Sequence, residues 1–134
     1  MSYAKPLPVP DSESRPFWEG TREHKLLMQR SPTTGKYQFP PTTFTPGGLE
    51  RPEWVEVSGR GKVFSWIVVR APTPADIYAG DVPYTVALVE LDEGVRMASN
   101  IVNCAPEDVT AGMAVKVLYK QVTDEITLPL FEPA

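Results

Sequence analysis

The sequence predicts a mainly β protein: a short N-terminal helix, a small hairpin, then a five-stranded barrel. Three observations carry that expectation. Short apolar runs with period-two alternation recur from residue 26 to residue 131. Prolines cluster at 6, 8 and 10, at 40, 41 and 46, and at 72 and 74, which marks loops between the runs. Helical spacing is confined to one short stretch near the N-terminus.

Residues 1–13 are expected to be a flexible lead-in. Ser14 is placed to cap a helix through PFWEGTREH, with Pro16 tolerated in the first turn. Gly20 weakens that helix, so tertiary contacts must hold it. Phe17, Trp18 and Thr21 share one side; the two aromatics need cover, from this domain or from a partner. LLMQR, residues 26–30, has the look of a strand, and KYQF returns beside it after SPTTG.

WVEVSGRGKVFSWIVVR is expected to be one long first barrel strand, bulged or bent at Gly59 and Gly61. Val63, Ser65, Ile67 and Val69 would then point one way, and Phe64, Trp66, Val68 and Arg70 the other. APTPADIYAGDVP is a loop. YTVALVELDEGVRMASNIV is a hairpin with Asp92-Glu93-Gly94 at its tip and Gly94 in the left-handed position. Tyr84, Val86 and Leu88 line one face, with Thr85, Ala87, Val89 and Leu91 on the other. Pro106 opens a short helical turn with Glu107 and Asp108 at its positive end. Residues 114–120 and 126–131 supply strands four and five. Five strands with a helical turn between the third and fourth is the order of an OB-fold barrel. The expected division is residues 1–13, residues 14–50 (helix plus ribbon) and residues 51–134 (OB-fold).

The net charge of −4 and the absence of any Lys/Arg run argue against nucleic acid, since phosphate binding needs a basic stripe. One cysteine, Cys104, and one histidine, His24, exclude an internal disulfide and a tetrahedral zinc site built from them alone. MSYAKPLPVP has no apolar core of a signal peptide, and no run reaches the length of a membrane span. A soluble, cytoplasmic protein is expected, with no membrane role.

The run RSPTTGKYQFPPTTFTPGG has the spacing of two C-x-x-C pairs without the cysteines. Ser31 and Thr34 form one pair of positions, Thr45 and Gly48 the other. Together with PFWEGTREHKLLMQR, the barrel strands, PEDVTAGMAVKV and TLPLFEPA, it resembles the zinc-ribbon/OB-fold proteins associated with acyl-CoA enzymes, long catalogued as a domain of unknown function. The resemblance covers almost everything after residue 15. It implies a helix, a rubredoxin-like ribbon and an OB barrel, in a non-catalytic accessory subunit of a thiolase, aldolase or acyltransferase. The departure is at the ribbon: hydroxyls and a glycine stand at all four ligand positions, so the metal site is not carried over and no cofactor is expected. A metal-free ribbon would need Leu27, Tyr37, Phe39 and Phe44 as a small apolar core. It is either a retained surface or a decaying loop.

Catalytic motifs are thin. His24 has no acid partner facing it and is expected to be a surface or interface residue. Cys104 has no second histidine to activate it. Ser58-Gly59-Arg60-Gly61 lacks the phosphate-loop frame, and Glu90, Asp92 and Glu93 have the look of solvated charge at a hairpin tip. If the barrel binds an acyl-CoA, Trp66, Arg70, Tyr84, Arg96 and Asn100 are the candidates, because a flat ring stacks on Trp or Tyr and phosphates pair with Arg. Phe17, Trp18, Tyr37 and Phe44 are the candidates for touching a thiolase-like partner in a hetero-oligomer. The alternatives are a free-standing acyl-CoA-binding protein and, behind it, a single-stranded nucleic-acid binder.

Overall fold

The computed structural model describes residues 3–134. Its first element, α1 (Arg15–Arg22), is set up differently from the expected Ser14 cap. Ser14 stands at the cap position but its side chain makes no bond to the helix. Its hydroxyl accepts the Asp11 N–H at 3.1 Å, and the Asp11 carboxylate accepts the N–H groups of Ser14 and Glu13 at 2.8 and 3.0 Å. Those donors, Ser14 first, hold the Asp11 carboxyl below its ordinary range. Gly20 has a packing reason: a Cβ there would lie 2.8 Å from Leu27 Cγ.

The helix closes with Lys25 N–H on Gly20 O at 2.9 Å and His24 N–H on Thr21 O at 3.0 Å, a Schellman arrangement. His24 takes the left-handed position, φ 59°, and its ring stacks on Tyr119 at 4.9 Å. Burial, reinforced by the Glu56 carboxylate, pushes the Tyr119 hydroxyl up to about 12, above the ordinary phenol range. The folded chain keeps the phenol protonated where the unfolded chain ionises. Stability is therefore full below pH 10 and falls as pH rises toward about 12, by on the order of 1 kcal/mol once solvent screening is discounted. Urea unfolding of the wild type and Tyr119→Phe between about pH 9 and 12 checks this: the fall should vanish in the variant, and equal falls in both would sink it.

β1 (Leu26–Arg30) lies between β2 (Tyr37–Gln38) and β3 (Glu53–Val57), antiparallel to both. The β1–β2 hairpin is the expected one. The strand from Trp54 to Arg70, expected as a single bent element, is two. Gly59 turns the chain at φ 75°, where an added Cβ would lie 2.4 Å from Val117 Cγ1. Everything before that turn joins the N-terminal sheet, and only β4 (Arg60–Val69) enters the barrel.

β4, β5 (Tyr84–Leu91), β6 (Arg96–Ile101), β7 (Ala114–Gln121) and β8 (Thr127–Pro133) close a barrel in the order β4-β5-β6-β8-β7. The Pro106–Asp108 helical turn joins β6 to β7, as expected of an OB-fold. A second helical turn, α2 (Ala75–Tyr78), sits in the expected β4–β5 loop. The β5–β6 hairpin is the predicted one, with Gly94 at φ 96° and its N–H on Leu91 O at 2.8 Å. Its tip is not simply solvated. Glu93 Oε2 accepts the Ser58 N–H at 2.9 Å, tying the hairpin to the β3–β4 turn. The joint between β6 and β8 is thin: one parallel ladder pair, Ile101 with Phe131.

The faces of β4 differ from the expected ones beyond Val63. Val63 pairs with Val89 but Ser65 pairs with Leu88, so Phe64 is an extra residue in a bulge. One extra residue exchanges the faces of all that follow. Trp66 and Val68 thus share the inward face with Ala87 and Thr85, while Ile67 is 63% exposed. On β5 the predicted alternation holds at every position. A single apolar core runs from Phe17, Leu26 and Met28 through Val57 into Val63, Val89, Val115 and Phe131 of the barrel.

Candidate functional site

Two loops of like construction face each other beyond β1 and β2. In one, Ser31 N–H bonds Lys36 O at 2.8 Å and Gly35 N–H bonds Ser31 O at 2.9 Å. In the other, Thr45 N–H bonds Glu50 O at 2.8 Å and Gly48 N–H bonds Thr45 O at 2.9 Å. Ser31 and Thr45 are buried; Thr34 and Gly48 are exposed. Glu50 joins the two loops. Its carboxylate accepts the Ser31 hydroxyl at 2.6 Å and the Thr33 hydroxyl on its other oxygen. Ser31, more than Thr33, holds the Glu50 carboxyl below its ordinary range. The Ser31 hydroxyl also accepts the Thr33 and Thr34 N–H groups at 3.2 and 3.1 Å.

These residues do not fit zinc. Zinc takes thiolate, imidazole or carboxylate, and Glu50 is the one such group lining the space between the loops. Among the described residues no group of three or more His, Cys, Asp or Glu is placed to hold a metal ion.

Gln29, buried in β1, holds the connecting segment. Its amide nitrogen donates to Thr42 O at 2.8 Å and its amide oxygen accepts the Thr42 N–H at 2.9 Å, the two bonds a neighbouring strand would make. Gln38 Nε2 donates to the same Gln29 oxygen at 2.9 Å. Leu27, Tyr37, Phe39 and Phe44 do not form a small core of their own. Tyr37 and Phe39 pack against the main core, and Phe44 is 43% exposed under the Arg51 guanidinium.

The partner candidates fall in different places. Phe17 is buried, with Trp18 edge-on at 5.0 Å and Phe39 at 5.7 Å. For Phe17 the structure takes the inward alternative. Trp18 and Tyr37 are half-buried, and Phe44 stands out beside Leu49, which is 96% exposed.

The ligand candidates do not form one cluster. Tyr84 and Asn100 meet at a groove of about 430 Å³ between the ends of β6 and β8. Trp66 is turned inward by the bulge. Arg70 is exposed after β4. Arg96 lies 3.6 Å from the Phe64 ring centroid and bonds Glu90 at 3.1 Å, which holds the Glu90 carboxyl low. The groove also recruits Tyr78, Thr85, Cys104 and Lys120, none of them a ligand candidate from the sequence. The presence of Tyr78 in a loop with its own helical turn is the one local signal.

Residues 54–120 match the model of the ChsH2 C-terminal OB-fold domain. The chain belongs to that family. Among its relatives, a DUF35 domain-containing scaffold protein of Methanocaldococcus jannaschii is 33% identical over 111 residues, 81% of this chain and 77% of the relative. A probable enoyl-CoA hydratase alpha subunit of Thermomonospora curvata is 34% identical over 132 residues; the match takes 97% of this chain but spans only 40% of the hydratase subunit. Among solved structures, a chain of the Ltp2-ChsH2(DUF35) aldolase superposes with TM-score 0.83 at 33% identity, covering 95% of this chain and 98% of that one. A DUF35 protein of Sulfolobus solfataricus, at 14% identity and TM-score 0.64, shares the fold. No helix among the described residues is long and apolar enough to cross a membrane.

Proposed function

We propose that this chain is a non-catalytic accessory subunit that binds a thiolase-like enzyme in the cytoplasm and supports its acyl-CoA chemistry. The observation that carries this reading is the likeness to the aldolase chain, which is end to end and at 33% identity rather than confined to the barrel. The scaffold and hydratase-subunit relatives support it. On this reading the paired loops at 31–36 and 45–50 are a ribbon that has lost its metal. The Glu50 bonds to Ser31 and Thr33, which tie the two loops together through side chains, support that reading. Phe44 and Leu49 then present an apolar tip to the partner.

The test is co-purification at gentle salt with the thiolase-like proteins of the same host, followed by titration of the pure components. A stoichiometric complex is expected. Phe44→Asp should weaken it roughly tenfold or more, as removal of an interface aromatic does, with the melting temperature unchanged. A chain that elutes alone in the presence of every such enzyme would overturn the reading.

A further inference from the structure

We propose that the groove between β6 and β8 binds a small molecule with a flat ring and one anionic group, held under residues 3–6. The floor supplies the first reason. Thr85 is 2% exposed, on the inward face of β5, and its hydroxyl has no hydrogen-bond partner. A buried hydroxyl left unpaired is destabilising, and a valine of the same shape would avoid the cost. Thr85 is one of the residues lining the groove, so a ligand atom that reaches its hydroxyl gives it a partner.

The walls supply the second. Tyr78 and Tyr84 stand 6.0 Å apart between ring centroids and tilted by 32°, flanking the entrance with flat apolar surface. A ring lying against them gains stacking contacts. The charges supply the third. Lys5, Lys120 and Asp81 are the ionised side chains lining the groove. Lys5 and Asp81 neutralise each other at 3.1 Å, and Tyr3 and Pro6 line the groove beside Lys5. Lys120 makes no ion pair among the described residues. One cation is left over for one anionic group. The space, about 430 Å³, is within the range of small-ligand sites. The site stands apart from the accessory role and is tested on the purified chain alone.

The Cys104 thiol lines the same groove and reports its occupancy. The probes are adenosine 5′-monophosphate for a phosphate and 4-hydroxybenzoate for a carboxylate, with adenosine and inorganic phosphate as the separated halves. At least one whole probe should slow alkylation of Cys104 by iodoacetamide and raise the melting temperature at about millimolar concentration, while the halves do neither. The probe that works names the anion. Thr85→Val should raise the melting temperature of the free protein and weaken probe binding about tenfold, the worth of one buried hydrogen bond. Lys120→Glu should weaken binding at least as much and leave the free protein's melting temperature alone. No protection by either probe up to about 10 mM, or affinity unchanged in both variants, would overturn the proposal.

Discussion

Gly61→Ala is expected to open the barrel at its closure and to cost about 3 kcal/mol or more. Gly61 is paired on both edges, with Leu91 of β5 and with Val115 of β7, where the first barrel strand meets both neighbours. A Cβ added there would lie 2.4 Å from the Glu90 carbonyl oxygen and 2.9 Å from Leu91 Cα. Both neighbours are backbone, and backbone in a ladder cannot rotate aside as a side chain does. Relief requires β4 and β5 to separate, which breaks the Asp92 N–H bond to Arg60 O at 2.9 Å and loosens the Glu93 contact with Ser58. Against a typical total of about 5–15 kcal/mol, that leaves a marginal fold. Gly80→Ala is the control, because nothing lies within 4 Å of a Cβ there, and it should be close to neutral. Urea unfolding of both variants decides the matter. A Gly61→Ala protein within about 1 kcal/mol of the wild type would mean that β4 and β5 do not approach so closely.

Gln29→Ala is the second large effect, about 2–4 kcal/mol. Gln29 is 4% exposed, and its amide satisfies both backbone groups of Thr42 as well as Gln38 Nε2. Alanine leaves the Thr42 N–H and O without those partners and leaves a gap beneath them. Gln29→Glu should be no better, since it keeps the acceptor, loses the donor and places a charge in a buried position. The damage should be local first. Residues 39–45 should become the site of proteolytic cutting while the barrel persists, and the Thr42 amide should exchange with solvent at a rate near that of an open loop. A Thr42 amide as protected in the variant as in the wild type would contradict the role given to Gln29.

What was legible in the sequence followed from rules that act over a few residues. The Gly94 turn, the alternation along β5 and the helical turn at Pro106 are of that kind, and the barrel order followed from them. Phe64 was not legible as a bulge, because Val63–Val69 is largely apolar on both faces and a slipped register reads much like an unslipped one. Gly59 marked a break, but a bend within one strand and a hand-over between two sheets carry the same signature. Tyr84 and Asn100 reach one groove because they are near neighbours on one hairpin. Arg96 lies apart from that groove, its guanidinium against Phe64 and Glu90, and the bulge turns Trp66 inward, neither of which a local pattern announces. The Glu50 bonds to Ser31 and Thr33, and the sharing of one groove by Thr85 and Lys120, involve residues far apart in the chain. No local pattern announces them.

The thin joint between β6 and β8 is the clasp of a closed ring, with one ladder pair where other joints have three or more. Beside the one ladder pair, its lips are held by the Ser99 hydroxyl on Pro129 O at 2.8 Å, Val102 N–H on Phe131 O at 2.8 Å and Asn103 Nδ2 on Glu132 at 2.7 Å. A ring gives first where its circumference is least stitched, so opening of this barrel is expected at the wall of the groove, and a molecule lodged there would brace that joint.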